Sequence, residues 1–251
     1  MPMTQVTDEP ARPIPDEETE RVLVVVAHPD DVDFGAAGAV ASWTSAGIDV
    51  SYCVITDGQA GGFDPGQDRA DMPRIRRREQ TEAAKCVGVS DVRFLGYVDG
   101  ELAVSRQLVV DLVRVIRQVR PQRVLIQSPH RNWGFLAPSP PDHLAAGEAS
   151  IQALFPAAGN PFAFTDLLDE DGLEPWSARE VWLMAHLSTN HAVDVTDHLQ
   201  AKMAALMCHQ SQHRDPEQLE QLLTGHLADI ATRHGMEAGR LAEPFAVYPL
   251  P

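Results

Sequence analysis

Two rhythms of apolar positions alternate along this chain. Residues 22–26 (Val22, Leu23, Val24, Val25 and Val26) form an unbroken, largely β-branched run, the pattern of a strand buried on both faces. Residues 34–46 are rich in alanine and stop at Gly47, which predicts a helix with a C-terminal glycine. Strand returns at 49–55, helix at 73–87 with Pro73 fitted to the first turn and Gly88 to the end, and strand at 92–95. Leu108, Leu112, Val115, Ile116 and Val119 share one face of a helix over 105–119 that Pro121 ends. A fourth strand is predicted at 124–127 and a helix at 142–154, with Asp142 at its N-terminus. Beyond it, 156–178 reads as irregular, 181–185 and 192–195 as weaker strands, and 196–208 and 217–234 as helices. Two long loops, 56–72 and 128–141, are rich in glycine and proline respectively.

Strands alternating with helices predict an α/β fold: a mainly parallel sheet with helices on both faces. Prolines and the cluster Asp16-Glu17-Glu18-Thr19-Glu20 make residues 1–20 read as a disordered acidic leader, and 21–251 reads as a single domain. The composition, 44% hydrophobic and 22% charged, is that of an ordinary globular chain. A formal charge of −16 argues against nucleic acid or an anionic membrane as the main partner, since both require a basic face. Cys53, Cys86 and Cys208 are widely spaced without a CxxC pair and are expected to be small buried hydrophobes in a reducing, cytoplasmic setting. No apolar run is long enough to span a bilayer, and no secretory signal is visible.

The chemistry concentrates where the first strand ends, in Ala27-His28-Pro29-Asp30-Asp31. An imidazole and two carboxylates crowded at the mouth of an apolar strand are costly to desolvate unless a compensating charge is present. A divalent metal taking the imidazole and one carboxylate, with the other carboxylate left as a base, meets that need. In a doubly wound sheet, ligands bind beyond the C-terminal strand ends where strand order reverses. With the order 3-2-1-4, the first and fourth strands flank that crevice, so Ser128-Pro129-His130 and Pro141-Asp142-His143 would lie opposite the first segment. His28, Asp31 and His143 then form a two-histidine, one-carboxylate set, the pattern of a catalytic zinc site, with Asp30 beside it as the base. Iron(II) suits the same ligands. Capping is the competing role for Asp31 and Asp33. His186, His191, His198, His213, His226 and His234 lack comparable surroundings and read as surface or capping groups. Trp133 and Phe135, on the second long loop, could stack on a sugar or simply anchor the loop. A nucleotide-binding reading is weakened because the first strand leads into no GxGxxG.

Ala27-His28-Pro29-Asp30-Asp31 and the following Asp33-Phe34-Gly35-Ala36-Ala37-Gly38 resemble the signature of the LmbE-like (PIG-L) zinc-dependent N-deacetylases. The likeness continues through Thr56-Asp57-Gly58, Arg76-Arg77-Arg78-Glu79-Gln80, Phe94-Leu95-Gly96-Tyr97, Asp99-Gly100 and Pro141-Asp142-His143-Leu144-Ala145-Ala146-Gly147. The resemblance implies a Rossmann-like fold and hydrolysis of an N-acyl group from an amino sugar or a small amide conjugate. By position it implies zinc on His28, Asp31 and His143, Asp30 as general base, and Arg77 in substrate contact. A small N-acyl amine is the implied partner. Homo-oligomers occur in the family, but no interface can be read from this sequence.

One departure matters. The family usually has His-Pro-Asp-His downstream, and here the first histidine is Pro140, which has no side-chain donor. Three readings follow. His130 supplies the missing donor; the metal and Asp30 suffice; or the chain is a catalytically altered or silent metal-binding member acting as a ligand-binding protein.

Overall fold

The computed structural model describes residues 13–64, 66–212 and 216–251. Among these residues, seven strands, β1 (Arg21–Val26), β2 (Asp49–Thr56), β3 (Asp91–Tyr97), β4 (Arg123–Gln127), β5 (Glu180–Met184), β6 (His191–Asp194) and β7 (Ala242–Pro249), form one sheet in the order β3-β2-β1-β4-β5-β7-β6. The first five run parallel, and β7 is antiparallel to both β5 and β6. The order 3-2-1-4 expected from the sequence is therefore present, and β1 and β4 are hydrogen-bonded neighbours.

Among the described residues, seven α-helices accompany the sheet: α1 (Asp31–Ser45), α2 (Met72–Cys86), α3 (Arg106–Val119), α4 (Pro141–Gln152), α5 (Thr165–Asp169), α6 (Leu199–Met207) and α7 (Pro216–Arg233). Alternate residues of β1 feed two cores. Leu23 and Val25 pack with Leu108, Leu112 and Ile116 of α3 and Ala146 and Ala149 of α4. Val22, Val24 and Val26 face α1, α2 and α6 on the other side. Ser105 caps α3 by accepting from the Leu108 N–H at 3.2 Å. No helix among the described residues is long and apolar enough to cross a membrane.

The structure differs from the expectations in five places. Residues 156–178, expected to be irregular, include helix α5. Helix α1 begins at Asp31, three residues earlier than the alanine run suggests, because the Asp30 carbonyl already accepts from the N–H groups of Asp33 and Phe34. The region 242–249 was not expected to be a strand, and its prolines argue against one. Pro244 is accommodated because it pairs with β6 beyond the end of β5, whose register with β7 stops at Leu183–Ala246. At the N-terminus, the expected leader runs too far. Residues 1–12 lie outside the described residues, but Ile14 and Asp16 dock on the sheet through Arg123, whose guanidinium donates to the Ile14 carbonyl and to Asp16, each at 2.8 Å. Among the cysteines, Cys53 is buried in β2 as expected, but Cys86 is exposed and Cys208 half-buried where the ends of α2 and α6 meet.

Candidate metal centre and active site

Pro29 and Asp30 turn the chain from β1 into α1, and Asp30 takes φ 87°, in the left-handed region that Asp tolerates better than most residues. This turn puts the His28 ring and the Asp31 carboxylate side by side at the strand mouth. The Asp31 Oδ2 accepts from the His28 backbone N–H (2.7 Å) and from Gln127 Nε2 (2.9 Å). Gln127 is the last residue of β4, and its Oε1 takes the Ala27 N–H at 2.9 Å, so one buried amide clips the two strand ends together.

His143 arrives from the first turn of α4. That helix can approach because Gly147 sits directly against β4: a Cβ there would lie 2.8 Å from the Pro129 nitrogen and 3.0 Å from the Ser128 carbonyl carbon. Residues four apart share a helix face, so the close approach at Gly147 carries His143 toward β1.

Three atoms converge. His28 Nδ1 and His143 Nε2 are 3.2 Å apart, His143 Nε2 and Asp31 Oδ1 3.0 Å, and His28 Nδ1 and Asp31 Oδ2 3.4 Å. The opposite nitrogen of each ring is engaged. His143 Nδ1–H donates to the Pro138 carbonyl at 3.2 Å, and His28 Nε2–H is shared between Asp99 Oδ1 and Asp142 Oδ2, each at 3.2 Å. When both rings are neutral, those committed protons leave a lone pair on each converging nitrogen, and the carboxylate between them is also an acceptor. Three such acceptors repel unless a cation lies among them, whether a metal ion or an added proton on a ring. Tetrahedral ligands on bonds of about 2.0–2.1 Å are separated by roughly 3.3–3.4 Å, close to the spacings seen here. The residues therefore fit a small divalent ion, and the outer carboxylates on His28 are the kind that fix a ligand's tautomer.

The electrostatics agree. Burial alone would lower the His28 pKa, but hydrogen bonds to Asp31 and Asp99 outweigh it and lift the ring to about 11. Burial would raise Asp31, and the His143 and His28 rings overcome it and hold that carboxylate well below its usual range. Such shifts mark a pocket whose carboxylates call for positive charge, supplied by a proton on the ring or by a metal.

Asp30 stands beside this set with different partners. Its backbone N–H donates to Gln80 Oε1 at 2.7 Å, and its Oδ2 accepts from the buried Arg76 at 3.0 Å. Arg76 also donates to the carbonyls of Pro29 and Gly58. Gly58 needs its small size here, because a Cβ would meet the guanidinium carbon at 2.9 Å. Burial pushes the Asp30 carboxyl up to about 7, with Arg76 pulling the other way. Behind it, Gln80 Nε2 donates to Asp33 Oδ2 (2.9 Å), which also lies 2.8 Å from His209 Nε2. Asp33 and His209 are both fully buried.

The fold brings His28, Asp30, Asp31 and His143 together, as the sequence predicts. The other expected residues have the following neighbours. Arg77 is occupied by Asp57, with bonds of 2.7 and 2.8 Å, and rests 5.2 Å from the Phe94 ring; its neighbour Arg76 is the one that reaches Asp30. His130 is exposed, with its ring 5.3 Å from that of His186 and its N–H on Ser128 Oγ. Trp133 is 82% exposed, with Arg131 stacked 5.7 Å from its ring. His213 lies outside the described residues. Sequence reasoning missed Asp99, Gln127 and His209, and read Asp142 only as a helix-terminal acid. Asp99-Gly100 was at least visible as one segment of the family likeness, and Gln127 as the last residue of the fourth strand.

Comparison with known proteins points the same way. A family model described as PIG-L, GlcNAc-PI de-N-acetylase, matches residues 23–154. Diacetylchitobiose deacetylase of Thermococcus kodakarensis is 32% identical over 236 residues, covering 94% of this chain and 85% of that protein. A probable N-acetyl-alpha-D-glucosaminyl L-malate deacetylase 2 of Bacillus cereus is 31% identical over 198 residues, 76% of this chain and 83% of that one. Among solved structures, N,N'-diacetylchitobiose deacetylase from Pyrococcus horikoshii superposes with a TM-score of 0.84 at 30% identity, covering 94% of this chain and 86% of that one.

Proposed function

The chain belongs to the PIG-L (LmbE-like) family of deacetylases, and from that premise we propose that it hydrolyses the acetamide of a small N-acetylated amino sugar, with His28, Asp31 and His143 holding zinc and Asp30 as the base. The observation that carries this reading is the convergence of three acceptor atoms whose rings are already committed on their far sides. The names of the relatives, a diacetylchitobiose deacetylase and a GlcNAc-malate deacetylase, support the substrate class. A two-imidazole, one-carboxylate set suits zinc, and iron(II) accepts the same donors.

Bound there, the ion supplies Lewis acidity toward the acyl oxygen and toward water. The chain's own residues do the rest. Asp30 Oδ takes the proton of the attacking water; Arg76 fixes the direction in which the carboxylate points, and Gln80 holds the Asp30 backbone. Asp30 then returns the proton to the departing amine. A carboxyl lifted toward neutrality by burial suits both halves of that transfer. Pro140 caps α4 without a side-chain hydrogen bond and offers no second acid, so Asp30 serves in both directions.

Two variants test the assignment, assayed on N-acetylglucosamine oligomers and glycosides. Asp30→Asn is expected to lower kcat by at least about 1,000-fold while elemental analysis still finds one zinc per chain. His130→Ala is expected to leave kcat near the wild-type value. Full activity in the first variant removes Asp30 from the chemistry. A large loss of kcat in the second assigns the acid to His130. Elemental analysis of the protein as purified separates zinc from iron.

A further inference from the structure

Cys86 is the last residue of α2 and Cys208 caps the end of α6. They are 122 positions apart in sequence, yet their sulfurs lie 3.8 Å from one another. This is van der Waals contact between two thiols. Each Sγ also reaches back to its own helix, Cys86 to the Glu82 carbonyl at 3.5 Å and Cys208 to the Ala204 carbonyl at 3.4 Å. The third cysteine, Cys53, is fully buried in β2 and takes no part.

We propose that Cys86 and Cys208 form a redox-active dithiol that closes to an intramolecular disulfide by exchange with a low-molecular-weight disulfide. The site stands apart from the metal centre, so its failure would leave the deacetylase reading untouched. Closing the bond requires the sulfurs to approach by roughly 1.8 Å, to the 2.05 Å of a disulfide, a shift within reach of side-chain rotation.

Exposure sets the order of events. Cys86, the exposed partner, deprotonates to water, and its thiolate attacks one sulfur of the oxidant RSSR. That S–S bond breaks, RS− leaves with the electron pair and is protonated, and Cys86 is left as a mixed disulfide. Cys208 then loses its proton, attacks the Cys86 sulfur, and expels the second RS−. Two protein thiols are oxidised and one RSSR is reduced to two RSH. Burial and the neighbouring Cys86 push the Cys208 thiol up to about 12, which suits it to the second, intramolecular step, where proximity replaces thiolate population.

The bond would join α2, which carries Arg76 and Gln80, to the residue preceding His209. It also closes a long loop in the unfolded chain, so the oxidised protein should melt at a higher temperature.

The test uses the full chain, reduced and then equilibrated with oxidised glutathione. Two of the three thiols should disappear together, the intact mass should fall by about 2 Da for the two hydrogens lost, a non-reduced digest should contain the 86–208 crosslink, and reductant should restore the starting state and melting temperature. Cys208→Ser should stop at a single glutathionyl adduct on Cys86. Cys86→Ser should react at least about 10-fold more slowly. The proposal is overturned if wild type accumulates a stable glutathionyl adduct or disulfide-linked dimers. It is equally overturned if both surface thiols stay free under conditions that modify Cys208→Ser.

Discussion

A guanidinium holds a carboxylate in one orientation only when its planar fork is itself fixed and water is kept away. Arg76 meets both conditions: it is 3% exposed and spans the Pro29 carbonyl, the Gly58 carbonyl and Asp30 Oδ2. Its neighbour Arg77 has a side chain 42% exposed and pairs with Asp57. Replacing Arg76 with Gln therefore leaves a buried carboxylate without its counter-charge and frees the base to turn. The expected cost is about 3 kcal/mol of stability and about 100-fold in kcat from misdirection of the base, with zinc content unchanged. Arg77→Gln should cost under about 1 kcal/mol and leave kcat close to wild type. Urea unfolding, kinetics and metal analysis on the pair of variants check this, and equal effects at the two positions would refute the distinction. Which of two adjacent arginines faces the site depends on helix phase relative to a loop whose path the sequence does not state. The convergence of His28, Asp31 and His143 was easier to read, because these are chemical groups that rarely crowd an apolar strand end without a charge to share. Gln127 and His209 carry no such signal. An amide at the end of a strand, or a histidine after a helix, gains its meaning only from what lies across from it.

At the scale of elements, the position of α4 decides whether a metal site exists. The helix is held against β4 at Gly147, where an added methyl would press on the backbone of Gln127, Ser128 and Pro129 rather than on a side chain able to swing away. Gly147→Ala should push the first turn of α4 outward and separate His143 from His28. Overpacking of this kind costs about 1–3 kcal/mol, and zinc affinity should fall by at least about 10-fold. Gly134→Ala is the control, since a Cβ there meets only the Asn132 side chain, at 3.5 Å. Equilibrium dialysis against zinc, with melting curves alongside, measures both effects, and unchanged affinity in Gly147→Ala would show that the helix does not set the ligand spacing. Most elements were readable because their periodicity is strong: the apolar face of α3 and the continuous run of β1 admit few other structures. Helix α1 was misjudged at its start because His-Pro-Asp-Asp looks like loop chemistry, although Asp30 already opens the helix with its carbonyl. Strand β7 was hidden by its two prolines; Pro244 lies beyond the end of β5, and Pro249 is the last residue of the strand, opposite Glu180.

Over the whole molecule, the sheet separates two polar clusters: the metal centre at the C-terminal ends of β1 and β4, and a second cluster around Arg123 at the start of β4. There the Arg123 guanidinium bonds Glu180 at 2.6 Å and Asp16 at 2.8 Å, and lies 5.1 Å from the Trp43 ring and 4.4 Å from that of Trp182. His191 packs edge-on to the same Trp182 at 5.0 Å. Burial depresses its pKa, and the nearby Arg123 adds to the effect, against smaller opposing contributions from Glu180 and Asp16. The folded protein thus favours the neutral ring, whereas the unfolded chain protonates it near its ordinary value of about 6.5. The sign follows directly: the unfolded state binds more protons in this window, so the contribution of His191 is fully present above about pH 6.5 and is lost as the pH falls toward the lower folded value. Many other groups titrate on acidification of a chain with formal charge −16, and they oppose or add to this slope. Comparing wild type with His191→Gln cancels them. Urea unfolding of the two proteins between about pH 5 and 8 should show the wild type losing stability more steeply than the variant on acidification, so that the difference between them shifts in favour of His191→Gln as the pH falls. Parallel curves across that range would mean that the ring carries no preference for its neutral form, and that the Arg123 cluster does not extend its field to β6.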